Sequence, residues 1–98
     1  MTFTPKDRDL GSRSYKFSLM VIGLVDELLG DTSSQVMARQ VMRSATSIGA
    51  NIIEAQASPT RKDFSLFLNH ALKSANETGY WLRLLMDSKK VSGDKIGD

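Results

Sequence analysis

Residues 33–57, SSQVMARQVMRSATSIGANIIEAQA, carry only three charged side chains in twenty-five positions: Arg39, Arg43 and Glu54. The stretch has no Pro and one interior Gly. At the 3.6-residue period Met37, Val41, Ala45, Ile48, Ile52 and Ala55 form one stripe, and Met42, Thr46, Gly49 and Ile53 widen it beyond half of the cylinder. A surface helix keeps a charged face toward water, so a helix without one is expected to be buried on several sides. Ninety-eight residues are too few to enclose such a helix unaided. The stretch therefore predicts a homo-oligomer, or a bundle completed by another chain.

The bulk properties narrow the class. The length fits one domain with a thin stability margin, to which subunit contacts would add. The absence of Cys removes disulfides, thiolate metal sites and cysteine nucleophiles, and fits a reducing, cytoplasmic setting. A net charge of +2 is far from histone-like, so any nucleic-acid contact must come from local clustering. No apolar run is long enough to span a membrane, and MTFTPKDRDLGSR lacks the apolar segment of a secretory signal. No membrane role is expected.

Hydrophobic periodicity divides the rest. Residues 1–11 read as a flexible tail, residues 12–90 as a helical bundle domain, and residues 91–98 as a polar tail. The first helix is expected over about residues 12–29, with Tyr15, Leu19, Ile22, Val25 or Asp26, and Leu29 as its main stripe and Phe17, Val21, Leu24 and Leu28 as a second strip. Gly30 is expected to stop it in the left-handed region. Asp31 and the following hydroxyls offer caps for the second helix, which should end before Ser58-Pro59. Thr60 with Asp63 makes an acidic variant of the capping box for a third helix reaching about Lys89. Its core face is read as Phe64, Phe67, Leu68, Ala71, Leu72, Ala75, Leu82, Leu85 and Met86. Ala45, Gly49, Ala71, Ala75 and Gly79 are expected where the second and third helices cross, because an interior Gly suggests close backbone approach. The fold class is all-α, an up-and-down antiparallel bundle with three helices visible.

Two segments carry a family resemblance. QVMRSATSIGANIIEA resembles the pattern Q-x-x-R-x-x-x-S-I-x-x-N-I-x-E-G through Gln40, Arg43, Ser47, Ile48, Asn51, Ile52 and Glu54, with Ala55 in place of the closing Gly. DFSLFLNHALKSANETGYWLRLL resembles D-F-x-x-x-L-x-x-A-x-x-S-x-x-E-T-x-Y-W-L through Asp63, Phe64, Leu68, Ala71, Ser74, Glu77, Thr78, Tyr80, Trp81 and Leu82. Over about residues 12–90 the chain is similar to the bacterial four-helix-bundle family of ribosomal RNA intervening-sequence proteins. The resemblance implies a left-handed up-down bundle of four helices and ring-like homo-oligomers, commonly pentamers. It also brings in a relative, the accessory protein of diversity-generating retroelements, a basic bundle that binds a reverse transcriptase and its RNA. A fourth helix is implied after Lys90, whereas the sequence stops at Asp98; that helix is either truncated, supplied by a neighbour, or absent.

Catalysis has little support. His70 is the single His and a zinc site needs three or four ligands. Ser47 has no base beside it, and there is no glycine-rich phosphate loop. No enzyme activity, cofactor or metal is expected. On the second helix Gln40, Arg43, Ser47, Asn51 and Glu54, joined by Glu77 on the third, form a polar set at the edge of the apolar stripe. It is read as a hydrogen-bonded network fixing helix register, in preference to a ligand or RNA site. Arg43–Ser47 and Ser47–Asn51 have contact spacing, and Glu54 could pair with Lys73 or Arg83 of a facing helix or of another subunit. Trp81, Leu66 and Leu84 are read as pointing away from the core stripe of the third helix, toward another subunit or the missing fourth helix in preference to a cation or ligand cage at Trp81. The nucleic-acid candidate is the flank Lys62, Asn69, Lys73, Asn76, Tyr80 and Arg83, with Arg61 beside it, uninterrupted by acid. Cations neutralise phosphate, Asn bonds phosphate or base edges, and Tyr stacks. On one subunit this is most simply a solvated face; repeated around a ring it would add up. The expected role is a non-enzymatic RNA-binding accessory protein whose partners are itself and RNA or a nucleic-acid-processing protein. The alternative is a scaffold without nucleic acid.

Overall fold

Asp9, Asp31 and Thr60 each open a helix in the same way. Each sits in extended backbone and its side-chain oxygen accepts an otherwise unpaired N–H of the first turn: Gly11 (3.2 Å), Ser34 (3.2 Å) and Asp63 (3.1 Å) respectively. In the computed structural model, which describes residues 9–28 and 30–90, these caps start α1 (Leu10–Asp26), α2 (Thr32–Gln56) and α3 (Arg61–Asp87). Leu10 and Gly11 thus belong to α1, so the expected tail ended two residues too late. The expectations for residues 1–8, Leu29 and residues 91–98 lie outside the described residues.

The helix ends differ in mechanism. α1 closes at Glu27, whose N–H turns back to Leu24, while Leu28 N–H bonds Val25 O at 3.2 Å. Gly30 therefore does not stop the helix, and no described Gly has positive φ; its carbonyl instead accepts Gln35 Nε2 at 2.9 Å. α2 ends at Ala57, ahead of Ser58-Pro59 as expected. Beyond α3, Lys89 takes φ 62°, the left-handed region usually given to Gly. Lys89 N–H reaches Met86 O (3.1 Å) and Lys90 N–H reaches Leu85 O (3.0 Å), the paired bonds of a Schellman turn. That turn brings Lys90 into an ion pair with Asp31, tying the end of α3 to the start of α2.

α2 is the middle element. α1 and α3 each pack on it and hardly touch each other, giving extents of 45 × 28 × 17 Å. Both packings are antiparallel, since Gly11 meets Gln56 and Ser14 meets Gly49 on one side while Ser44 meets Thr78 and Ser47 meets Ser74 on the other. The architecture is all-α, three helices of an up-and-down bundle, with no strand among the described residues. Val21, Val41, Ala45 and Leu85 form the centre, wrapped by Phe17, Val25, Leu28, Met37, Met42, Trp81 and Leu82. The α2 stripe is as expected, with Val41, Ala45, Ile52 and Ala55 buried.

The flanking helices correct the sequence reading. On α1 the second strip supplies most of the core through Phe17, Val21 and Leu28, joined by Val25 of the main stripe, whereas Tyr15, Leu19 and Ile22 stand exposed, Tyr15 at 64%. On α3, Ala71 and Leu85 are buried, but Phe64, Leu72, Ala75 and Met86 are exposed, Leu72 at 60%. Of the small residues, Ala45 and Ala71 are buried, but Gly49 and Gly79 do not mark the α2–α3 crossing. A Cβ on Gly49 would meet Ser14 Oγ of α1 at 3.3 Å, and one on Gly79 would meet nothing within 4 Å. Hydroxyls fill the α2–α3 seam instead.

A candidate nucleic-acid interface and the polar seam behind it

The seam is built from short side chains that recur at helical spacing on two facing helices. Ser44 and Thr78 are buried, with their hydroxyl oxygens 2.8 Å apart. Thr78 Oγ1 also lies 2.7 Å from Ser74 O. Each hydroxyl has one proton, so Thr78 donates to that carbonyl and Ser44 donates to Thr78. One turn on, Ser74 Oγ donates to Ser47 Oγ (3.0 Å), and Asn51 Nδ2 donates to Ser47 O (2.9 Å) and Oγ (3.0 Å). These bonds fix which turn of α3 faces which turn of α2, because any slip leaves buried oxygens without partners. Ser44 was not singled out from sequence. The available signal was its place in the 4-3-4 row Gln40–Ser44–Ser47–Asn51, facing Ser74 and Thr78.

The rest of the expected network divides. Arg43 turns not to Ser47 but to Gln40 Oε1, from Nε (3.2 Å) and Nη2 (2.9 Å), and crosses to pair with Glu77. Trp81 Nε1 donates to the same Glu77 oxygen at 2.9 Å. Arg43 first, and Trp81 second, hold the Glu77 carboxyl below its ordinary range. Glu54 is exposed and makes no ion pair among the described residues. The register set by Ser47–Ser74 puts Glu54 about four turns from Arg83 and about 9 Å along the axis from Lys73. Trp81 is half-buried against the core rather than pointing away from it, while Leu66 and Leu84 are exposed.

The basic flank lies on the far side of α3 from α2. Lys62, Asn69, Lys73, Asn76, Tyr80 and Arg83 fall within about 80° of the helix circumference and span about 32 Å along it. All six are exposed, as is Arg61. No hydrogen bond or ion pair among the described residues engages Lys62, Lys73 or Arg83. A shallow groove runs along its C-terminal half, lined by Ala75, Asn76, Gly79, Tyr80, Arg83, Leu84 and Asp87. Asp87 places one acid at the end of the flank, one turn beyond Arg83. His70 is exposed, its ring 6.4 Å from Phe67. Among the described residues no set of three acidic, His or Cys side chains converges on a metal position, and no helix is long and apolar enough to cross a membrane.

Antiparallel helices locked by a hydroxyl seam, with a basic flank outside, define a small helical-bundle protein. The family model described as 23S rRNA-intervening sequence protein matches residues 6–97. A crystal structure of a protein of unknown function from the S23 ribosomal protein family of Bacteroides thetaiotaomicron superposes with a TM-score of 0.80 at 41% identity, covering 87% of this chain and 79% of that one. No curated protein matches significantly. The chain belongs to the 23S rRNA-intervening sequence protein family.

Proposed function

We propose that this chain is a non-enzymatic, homo-oligomeric accessory protein that binds nucleic acid along α3. The observation that carries this reading is the flank itself: cations, amides and an aromatic ring in one exposed sector, with Lys62, Lys73 and Arg83 engaged by no described partner. Phosphate neutralisation by such groups releases counterions and is steeply salt-dependent. A net charge of +2 is modest for one subunit, and assembly into a ring would repeat the flank around an axis. Binding to a structured RNA, followed by fluorescence anisotropy from about 50 to 200 mM salt, is expected to weaken with salt and to be lost in Lys73→Glu/Arg83→Glu. Absence of binding at about 50 mM salt, where phosphate contacts are strongest, would refute it.

A second reading is an oligomeric scaffold that binds protein and no nucleic acid. The exposed rows Tyr15, Leu19 and Ile22 on α1 and Phe64, Leu72 and Met86 on α3 favour it, since a run of apolar side chains on a small protein marks an interaction surface. That reading expects a stable oligomer carrying no absorbance from nucleic acid.

A further inference from the structure

Tyr80 is the one aromatic on the basic flank. It is 58% exposed, yet its position is fixed from behind. Gln40 holds Arg43, Arg43 pairs with Glu77, Glu77 accepts the Trp81 indole N–H, and the indole meets the Tyr80 ring edge to face at 5.1 Å between centroids. A chain of four side chains rooted on α2 thus braces a phenol ring that keeps a face open to solvent. An exposed tyrosine normally loses rotamer freedom when a ligand stacks on it, and a ring already braced loses less.

The space beside the ring is also suited to a flat group. A Cβ on Gly79 would touch nothing within 4 Å, and Ala75 lies one turn back, so the groove floor is low and apolar. Asn76 and Arg83 stand on its rim, and Lys73 lies two turns N-terminal of Tyr80 on the same flank. A planar aromatic ligand with a polar edge and a phosphate on either side matches this arrangement. Base faces are open in single strands and hidden in duplexes. The acid at Asp87 repels phosphate from the C-terminal end, so the strand runs toward the N-terminus of α3, past Arg83 and Lys73.

We propose that the groove takes an unpaired nucleotide of single-stranded RNA, its base stacked on Tyr80 above Gly79, with strand phosphates on Arg83 beside it and on Lys73 two turns further along α3. This rests on the nucleic-acid reading above and narrows it to unpaired strands.

The test uses the full chain with a labelled 12-nucleotide RNA, the same RNA in a duplex, and single-stranded DNA of the same sequence, at about 50 mM salt where phosphate contacts are strong. The single-stranded RNA is expected to bind more tightly than the duplex. Tyr80→Ala should weaken it roughly 5- to 150-fold, the range for one stacked base, and Tyr80→Phe should retain it. Gly79→Leu, which fills the floor, should weaken single-strand binding and leave duplex binding unchanged. Single-stranded DNA should bind alongside the RNA, because the groove presents phosphate and ring contacts common to both. Unchanged binding in Tyr80→Ala, equal affinity for duplex and single strand, or discrimination against DNA beyond about tenfold would overturn the proposal. If binding persists and depends on Lys73 and Arg83 while Tyr80→Ala has no effect, only this inference fails. If no form binds, the underlying reading fails with it.

Discussion

Replacing Thr78 with Val keeps the shape of the α2–α3 seam and removes one hydroxyl from it. Ser44 then loses the acceptor 2.8 Å away and is left with Val41 O at 3.4 Å, too long for a strong bond, in a site with no exposed surface. A buried hydroxyl without a partner costs about 1–3 kcal/mol. Ser44→Ala removes the donor instead. Thr78 keeps its bond to Ser74 O, so the loss is that of one ordinary hydrogen bond, about 1 kcal/mol. With both changes no hydroxyl is stranded, and the double variant should be more stable than the summed single losses imply, by about 1 kcal/mol. In a domain this size each kcal/mol moves the melting temperature by about 4–8 °C. Thermal melts of the four proteins, at one subunit concentration because self-association shifts apparent stability, give the coupling directly. Additive losses, with a coupling below about 0.3 kcal/mol, would refute the claim that these hydroxyls recognise one another and set the register.

Ser34→Ala should raise stability by about 1 kcal/mol, because Ser34 Oγ is fully buried with no hydrogen-bond partner; a fall in melting temperature would show a partner there. Gly79 and Gly49 should respond in opposite directions: Gly79→Ala gains about 0.8–1 kcal/mol of helix propensity in open space, and Gly49→Leu loses about 1–3 kcal/mol because even a Cβ there crowds Ser14. Equal responses at the two sites, read by urea unfolding, would contradict the packing. Asp31 has its pKa lowered from 3.8 to about 2, chiefly by Lys90 and then by Ser34. A depressed carboxylate pKa stabilises the fold above the unfolded value, so this contribution is intact above about pH 4 and is lost as pH falls toward about 2. Lys90→Met should flatten the melting temperature over that window, and superimposable pH profiles would refute the link.

The middle helix was legible because its signal is one-sided in sequence. A row from Met37 to Ala55 with almost no charge has one way to be buried, and Val41, Ala45, Ile52 and Ala55 are buried. α1 was ambiguous because it has two apolar rows of the same period, and periodicity cannot rank them. The choice of Phe17, Val21 and Leu28 over Tyr15, Leu19 and Ile22 is made by which row meets Met42 and Ala45. The small residues of α3 misled for a related reason. Ala75 and Gly79 do permit close approach, but the sequence does not name the approaching element, and α2 meets Ser74 and Thr78 instead. Gly30 is a common helix stop, yet α1 had already closed through bonds at Glu27 and Leu28. The basic flank was legible as a spacing; the bracing of Tyr80 through Arg43, Glu77 and Trp81 joins residues thirty-four positions apart and has no local signature.

Homo-oligomerisation, as proposed, would cover the apolar rows left open on α1 and α3 with further copies of this chain. Light scattering on the purified protein across a dilution series tests it most directly. The prediction is a stable mass at a multiple of 10.8 kDa, lowered by Leu72→Asp without loss of helicity. A single subunit of 10.8 kDa that stays compact and melts cooperatively at every concentration would contradict it.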